Sequence, residues 1–366
     1  MRVLFWSELF WPYVGGAEIF GAGLMTSLQV RGHEFSVVTS HDYLDLPDED
    51  SFEGIPVNRL PFRAALSGRD IRSFAGCSRR LREIWDEFNP DLVHINAIGP
   101  SALFYLRHKG RDRVPSILTM QQEALKVEAS SNELLMSDVL RVMDWSVAVS
   151  NSVLDQIRDA VPSIIERSSC IHNGVQLPDV EPSFPDRPTV LYVGRLVPYK
   201  GVDLAIEAFA RLSVSIPEAR LIVAGDGPER DRLEGLAMSL GVEKSVEFLG
   251  WIEPAEVPAL MNRGTVVVMP SHREGFPVTG VQAALMARPI VGSRVSGLEE
   301  IVDSGVTGFL VPVGDVDGLT SGIESLLGSP AKARSMGQAA RKRIEGIVSW
   351  DRIAESYDAL YRTIGG

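Results

Sequence analysis

The sequence is poor in cysteine, short of positive charge and free of long apolar runs, and each scarcity removes a class of protein. Two cysteines, Cys77 and Cys170, stand in 366 residues, with no CxxC spacing and no histidine cluster. That argues against a disulfide framework and a zinc site and fits a reducing cytoplasm. No stretch approaches the ~20 consecutive apolar residues of a membrane helix. The N-terminal MRVLFWSELF reads as a first strand, not a signal peptide. Acidic residues outnumber basic ones 48 to 36, and the net charge of −12 excludes wholesale nucleic-acid binding. A GxGxxG fingerprint is missing too, so no dinucleotide is indicated.

Apolar residues make up 45% of the chain, ample for cores, and the length exceeds what one core usually supports. Short apolar runs alternate with helical patterns. Strands are predicted at 3–7, 35–39, 92–95, 117–120, 147–150 and 169–172. A second series follows at 190–193, 221–224, 246–249, 266–269, 290–292 and 308–311. Helices between them include 17–30, 73–88, 101–109 and 153–160. Strands alternating with helices of 10–15 residues imply parallel sheets with crossover helices. Two series imply two doubly wound α/β domains. Residues 176–188 carry four prolines and read as the linker. The expected domains are 1–175 and 176–349, followed by an amphipathic helix from 350. Ligands of such sheets bind beyond the carboxyl ends of the strands, so the expected site lies between the domains.

Four strand ends carry chemistry. Gly15-Gly16 opens the first helix, whose free N–H groups and positive dipole end suit phosphate. After the first strand of the second series, Gly194 precedes Arg195 and Lys200 precedes Gly201. A guanidinium fork and a point charge suit phosphate oxygens, although two solvated cations in a polar loop would look the same. Gly225-Asp226-Gly227-Pro228 follows the next strand and reads equally as an ordinary turn. Most informative is PSHREGFPV at 270–278. There Glu274 ends a buried strand, Gly275 permits close approach, and Phe276 and Val278 offer backbone N–H groups around Pro277. Glu274 could accept from hydroxyls, or pair with Arg273 or Arg288, or cap the next helix. A separate basic segment, 61–85, holds six arginines against Asp70 and Glu83, with Phe62, Leu66, Ile71, Phe74, Leu81 and Trp85 among them. It fits a solvated helix face over a core stripe, or a helix lying on an anionic membrane surface.

Taken in order, GGAE, HNGV at 172–175, VGR-x4-KG, GDGP, PS-x2-EGF and the late Gly297-Leu298-Glu299-Glu300-Ile301-Val302 resemble the retaining glycosyltransferases of family 4. The resemblance covers nearly the whole chain, and it implies that the helix 350–366 packs back on the first domain. It implies the GT-B fold: two Rossmann-like domains, with the second holding a nucleoside-diphosphate-sugar donor as substrate and no cofactor. By the same resemblance Arg195 and Lys200 hold the diphosphate, Glu274 meets the donor sugar, and Gly275, Phe276, Pro277 and Val278 approach sugar and phosphate. Gly15 and Gly16 lie beside the diphosphate, and Asn173, Gly194, Gly225 and Asp226 belong to the donor-binding set. Two positions depart from the pattern. Gln282 stands where a second glutamate accepts from ribose hydroxyls. Gln121 stands where many relatives carry a histidine near the sugar. His94, one strand earlier, reads as a satisfied strand-end histidine.

The expected activity is hexosyl transfer from a nucleotide sugar, UDP by default, to a hydroxyl of a glycan, a lipid-linked or a small-molecule acceptor. No metal is expected, since no Asp-x-Asp pair stands beside these loops. Peripheral contact with the inner face of a membrane through 61–85 is a further expectation. The two glutamines leave a non-catalytic nucleotide-sugar-binding protein and a GT-B-like epimerase as rivals. Acceptor choice is placed in the loops around 41–75 and 121–133. Bare nucleoside diphosphate is expected to bind independently of Glu274, because it carries no sugar.

Overall fold

A computed structural model describes residues 1–13, 15–41, 45–67, 71–109, 113–121 and 131–366. The chain divides into one unit of residues 1–174 plus 350–366 and a second of residues 175–349.

Among its described residues unit 1 holds eight strands: β1 Arg2–Ser7, β2 Glu34–Ser40, β3 Glu49–Phe52, β4 Ile55–Leu60, β5 Leu92–Asn96, β6 Ser116–Met120, β7 Trp145–Ala148 and β8 Ser168–Cys170. Their order is β3-β4-β2-β1-β5-β6-β7-β8, parallel throughout except for β3 against β4. The β3–β4 pair is not among the sequence-predicted strands. β3 is EDSF, half-exposed at the sheet edge, and β4 carries Pro56, so neither reads as a buried run. The helix Ser131–Val142 is a second element the periodicity did not yield. The interior strands β1, β5 and β6 are almost wholly buried. Continuous apolar runs are what a sheet covered on both faces requires.

The C-terminal helix Trp350–Gly365 closes one face of this sheet. Phe20 of the helix Gly16–Gln29 stacks on Trp350 at 5.9 Å, and Tyr357 and Tyr361 are fully buried. Their hydroxyls need partners there. His94 Nδ1 lies 2.5 Å from the Tyr361 hydroxyl, His94 Nε2 lies 2.7 Å from Thr119 Oγ1, and Thr119 Oγ1 lies 2.9 Å from the Tyr357 hydroxyl. Burial holds the His94 imidazole neutral, its pKa pulled down to about 3. His94 is thus a core group that pins the terminal helix.

The basic segment forms the helices Phe62–Ser67 and Ile71–Phe88. Phe62, Ala65, Cys77, Leu81, Ile84 and Trp85 enter the core, while Arg72, Arg79 and Arg82 are exposed. The apolar stripe therefore faces protein, as the solvated-face reading expects. Arg69 and Asp70 lie outside the described residues, as do 42–44 and 122–130 of the loops assigned to acceptor choice. Among the described residues no helix is long and apolar enough to cross a membrane.

Unit 2 holds β9 Thr189–Val193, β10 Arg220–Ala224, β11 Val246–Gly250, β12 Val266–Met269, β13 Ile290–Ser293 and β14 Gly308–Val311, all parallel in the order β11-β10-β9-β12-β13-β14. Its core packs Val190, Leu221, Val223, Val266 and Val268 under Ile206, Phe209, Leu212 and Ile323. Fully burying each such side chain contributes about 1.5–3 kcal/mol. The proline-rich segment is fastened to this unit by Arg288, which is fully buried. Its guanidinium donates to the carbonyls of Met286, Gly264 and Ser183 and lies 3.8 Å from the Phe184 ring centroid. Burial lowers its pKa to about 10.

Candidate active site

In each sheet the strand order reverses once: between β1 and β5 in unit 1, and between β9 and β12 in unit 2. At such a point the crossover helices leave to opposite faces and open a crevice at the carboxyl edge. Gly15 and Gly16, after β1, and Arg195, Lys200 and Glu274, after β9 and β12, lie on loops that flank these two points, while Gln121, Asn173, Gly225 and Asp226 follow β6, β8 and β10.

In unit 2 the loop after β9 is tied to the loop after β10. Gly194 N donates to Ala224 O at 2.9 Å and Leu196 N to Asp226 O at 2.9 Å, while Glu229 N returns to Leu196 O at 3.1 Å. Gly225 sits at φ +135°, and a Cβ there would collide with the Gly194 carbonyl, so the approach requires glycine. The loop after β12 joins from the other side, with His272 N donating to Tyr199 O at 2.8 Å. Gly201, at φ +64°, passes against the Pro270 carbonyl where a side chain has no room. Asp226 is exposed, and its carboxylate caps its own loop at Gly227 N.

These ties set the charged groups. Glu274 is only 8% exposed and Lys200 20%, and Lys200 Nζ donates to Glu274 Oε1 at 2.7 Å. Ser271 Oγ donates to the same oxygen at 2.7 Å. Oε2 has no hydrogen-bond partner among the described residues. Glu274 therefore pairs with Lys200, not with Arg273 or Arg288, and it does not cap the following helix. Tyr199 gathers three cations: Arg273 at 4.7 Å, Lys200 at 5.6 Å and Arg195 at 5.9 Å from its ring centroid. Arg195 also donates to the Tyr199 hydroxyl. Each cation over the ring gains about 0.5–1 kcal/mol at an exposed site, which offsets part of the repulsion among them. Burial, with the Glu274 charge adding to it, holds the neighbouring Tyr192 phenol well above its usual range. Its hydroxyl donates to the Arg195 carbonyl at 2.9 Å.

Gly275, Phe276 and Pro277 lead into the helix Val278–Leu285, which starts with no side-chain cap. Its first N–H groups and dipole end lie directly beyond Glu274. Gln282 sits half-buried on this helix. The Glu274 carbonyl accepts from Gly297 N and Ser296 Oγ, both at 3.1 Å, so the late glycine motif braces the glutamate. Tyr199, Ser271 and Arg273 are the members that motif reading passed over as ligand-side groups. Each had a signal in sequence: Tyr199 stands next to Lys200, and Ser271 and Arg273 stand within three residues of Glu274.

In unit 1 the helix Gly16–Gln29 begins at Gly15, again with no side-chain cap. The Ala17 carbonyl in its first turn accepts from Asn96 Nδ2 at 2.9 Å. Asn96 Oδ1 accepts from Gln121 Nε2 at 2.8 Å, and Gln121 Oε1 accepts from Asn173 Nδ2 at 3.0 Å. Gln121 and Asn173 thus share one amide chain with Asn96, a residue that no motif singled out.

Comparison with known proteins follows the same lines. Residues 176–343 match the family described as glycosyl transferases group 1, and residues 14–178 match glycosyltransferase family 4. A glycogen synthase of Mycobacterium tuberculosis is 33% identical over 402 aligned residues, covering 99% of this chain and 94% of that protein. A GDP-mannose-dependent α-(1-6)-phosphatidylinositol monomannoside mannosyltransferase of Mycolicibacterium smegmatis is 36% identical over 163 residues, 43% of each chain. Among solved structures, Anabaena HepE in complex with UDP-glucose superposes with a TM-score of 0.82 at 21% identity, over 99% of this chain and 100% of that one.

Proposed function

We infer the reaction from one premise: this chain belongs to glycosyltransferase family 4, has the GT-B fold and is an enzyme that transfers a sugar. We propose that unit 2 binds a nucleoside-diphosphate sugar, with UDP as the favoured nucleotide, and that unit 1 serves the acceptor. The observation that carries this reading is the cluster at the carboxyl edge of unit 2. Three cations surround Tyr199, a carboxylate with one oxygen unpartnered among the described residues stands beside them, and an uncapped helix start follows. Diphosphate oxygens suit the cations and the helix N–H groups. Sugar hydroxyls suit Glu274 Oε2.

In the proposed reaction the bond between the anomeric carbon and the departing phosphate oxygen breaks while the acceptor oxygen bonds to that carbon. The acceptor proton passes to the departing phosphate oxygen on the same face, and configuration is retained. Arg195 and Lys200 stabilise the charge that grows on the diphosphate, where preorganised charge counts most. Glu274 orients the sugar and supports positive charge at its anomeric carbon. Its Oε1 is already engaged by Lys200 and Ser271, which suits an orienting carboxylate better than a nucleophile. The HepE complex favours UDP, and the mannosyltransferase keeps GDP in view.

A donor screen tests this. UDP-glucose, UDP-N-acetylglucosamine and GDP-mannose are incubated with glycan, lipid-linked and small-molecule acceptors. The reading expects a glycoside plus nucleoside diphosphate, with the α-configured donor giving an α-linked product by NMR. Inverted product would refute retention. An isomerised nucleotide sugar without transfer would refute the reaction itself.

A further inference from the structure

A chain of net charge −12 that gathers arginines on one helix face does so against its own average. The helix Ile71–Phe88 separates its two sides cleanly. Cys77, Leu81, Ile84 and Trp85 enter the core. Arg72, Arg79 and Arg82 fall on one narrow stripe of the opposite side, and all three are exposed. Arg80, beside the stripe, pairs with Glu49 and Glu83. Asp86 lies on the stripe one turn after Arg82, so the basic part is the first three turns of the helix.

The helix Ala102–His108 enlarges this patch. Its Phe104 stacks on Phe74 with ring centroids 4.5 Å apart, and His108 Nε2 lies 3.2 Å from the Ser78 carbonyl, so the two helices lie side by side. Arg107 is exposed and covers the Phe74 ring at 5.4 Å. Leu103, one turn before Arg107 on the same face, is 43% exposed. Arg79, Arg82 and Arg107 make no ion pair among the described residues.

The spread of these groups decides what anion suits them. A site for one free phosphate converges its donors on a point. Arg72 and Arg82 stand about 15 Å apart along a helix that rises 1.5 Å per residue, on a convex surface, so no single phosphate meets both. A row of anions does, and lipid headgroups and nucleic acid both offer one. Leu103 favours the lipid, because an exposed leucine among arginines gains from the acyl boundary beneath the headgroups and nothing from a phosphodiester chain. The acidic surface elsewhere favours it too, since a flat bilayer meets one face of the chain and leaves the rest in water.

We propose that unit 1 docks on an anionic lipid surface through this face, with Arg72, Arg79, Arg82 and Arg107 at headgroup phosphates and Leu103 at the acyl boundary. The apolar stripe of the helix Ile71–Phe88 stays in the core, so the contact is electrostatic and reversible, not an inserted amphipathic helix. Guanidinium keeps its proton at every working pH, so docking responds to salt and not to pH. The arginine-rich turns begin the helix that returns from β4 to β5, and the second helix follows β5, so both lie toward the carboxyl edge of the sheet. Docking therefore holds that edge near the lipid. The inference goes beyond sugar transfer and does not depend on it.

Sedimentation of the full chain with vesicles tests this, using phosphatidylcholine alone and phosphatidylcholine mixed with phosphatidylglycerol, at low and high salt. The chain should pellet only with the anionic vesicles, and salt should release it. Each arginine at such a surface strengthens partitioning about fivefold, so Arg79→Gln/Arg82→Gln/Arg107→Gln should partition about tenfold less or weaker still. Removing three exposed lysines of unit 2, as Lys244→Gln/Lys332→Gln/Lys342→Gln, changes the net charge equally and should keep partitioning within about twofold. No binding to anionic vesicles, binding indifferent to salt or to lipid charge, or an equal loss in the lysine variant overturns the inference. Mixed-sequence RNA is the rival arm. RNA that binds wild type as tightly as the anionic vesicles do, and loses that binding in the arginine variant, assigns the face to nucleic acid and overturns the lipid contact. Where the triple arginine variant does not fold, Arg79→Gln/Arg82→Gln, which leaves Arg107 over Phe74, is measured against the same criteria.

Discussion

Removing the Glu274 charge should make bare UDP bind more tightly, contrary to the expectation that a nucleotide without sugar ignores this residue. The ion pair is the reason. Lys200 Nζ lies 2.7 Å from Glu274 Oε1. A phosphate oxygen reached by the same ammonium at ~2.8 Å stands at most about 5.5 Å from the carboxylate oxygen. Two like unit charges at that distance repel by about 0.75 kcal/mol at a dielectric of ~80 and about 3 kcal/mol at ~20. Both partners are largely buried, so the middle of that range, about 2 kcal/mol, is the working figure. Glu274→Gln also frees Lys200 from its tether, and ordering a long side chain afresh costs about 0.5–1.5 kcal/mol. The net is about 1 kcal/mol, or roughly fivefold tighter UDP.

Calorimetric titration of UDP into wild type and Glu274→Gln measures this directly. The gain should grow at low salt, because the Debye length stretches from about 8 Å at 0.15 M to about 30 Å at 0.01 M. The nucleotide sugar should gain less than UDP, since it loses its hydroxyl contact with Oε2, and turnover should fall. UDP binding that is weaker in Glu274→Gln than in wild type, or a gain that shrinks at low salt, refutes the reasoning.

Arg195→Ala should lose most transfer activity, and Arg273→Ala should weaken UDP several-fold while lowering the salt dependence of binding; salt titrations that leave the slope unchanged in Arg273→Ala would remove it from the ligand side. Lys200→Ala strips the counter-charge from a carboxylate that is 8% exposed and should cost unit 2 about 1–3 kcal/mol, read as a lower urea midpoint. EDTA should leave turnover within a few-fold if the three cations around Tyr199 serve the diphosphate as proposed; complete loss restored by Mn²⁺ would refute that. His94 titrates near 3 when folded against 6.5 when free. The unfolded chain therefore binds the extra proton between these values, and stability falls as pH drops below 6.5, by up to about 1.4 kcal/mol per pH unit; His94→Gln should flatten the acid limb of a Tm-against-pH curve by one proton.

The parts of the fold that read clearly from sequence are those where burial acts alone. Val190–Val193 and Val266–Met269 are continuous apolar runs because both faces of their sheet are covered, and they emerge as β9 and β12 within a residue. Glu49–Phe52 escaped because an antiparallel edge strand needs neither alternation nor burial; its pairing with β4 holds it. The tail was legible as an amphipathic helix. That His94 and Thr119 complete its buried hydroxyl network was not, since 267 residues separate His94 from Tyr361.

The site divides along the same line. Arg195, Lys200 and Glu274 could be named because charged residues between glycines at strand ends are unusual. Their pairing could not, because Lys200 and Glu274 meet only through the β9–β12 crossing, 74 residues apart. The amide chain left even less trace, as asparagine and glutamine at strand ends are common in any sheet. Yet its chemistry explains the departure at Gln121. A histidine there could accept from Asn173 and donate to Asn96 only as one neutral tautomer, and protonation would turn the accepting ring nitrogen into a donor facing the Asn173 NH2. Glutamine keeps one end accepting and the other donating at every pH. Unit 2 thus places charges where its strand order reverses, and unit 1 places neutral amides at the corresponding edge. Phosphate calls for the first and hydroxyls for the second, so the substitution at 121 is consistent with a site built to orient a sugar, not to move its protons.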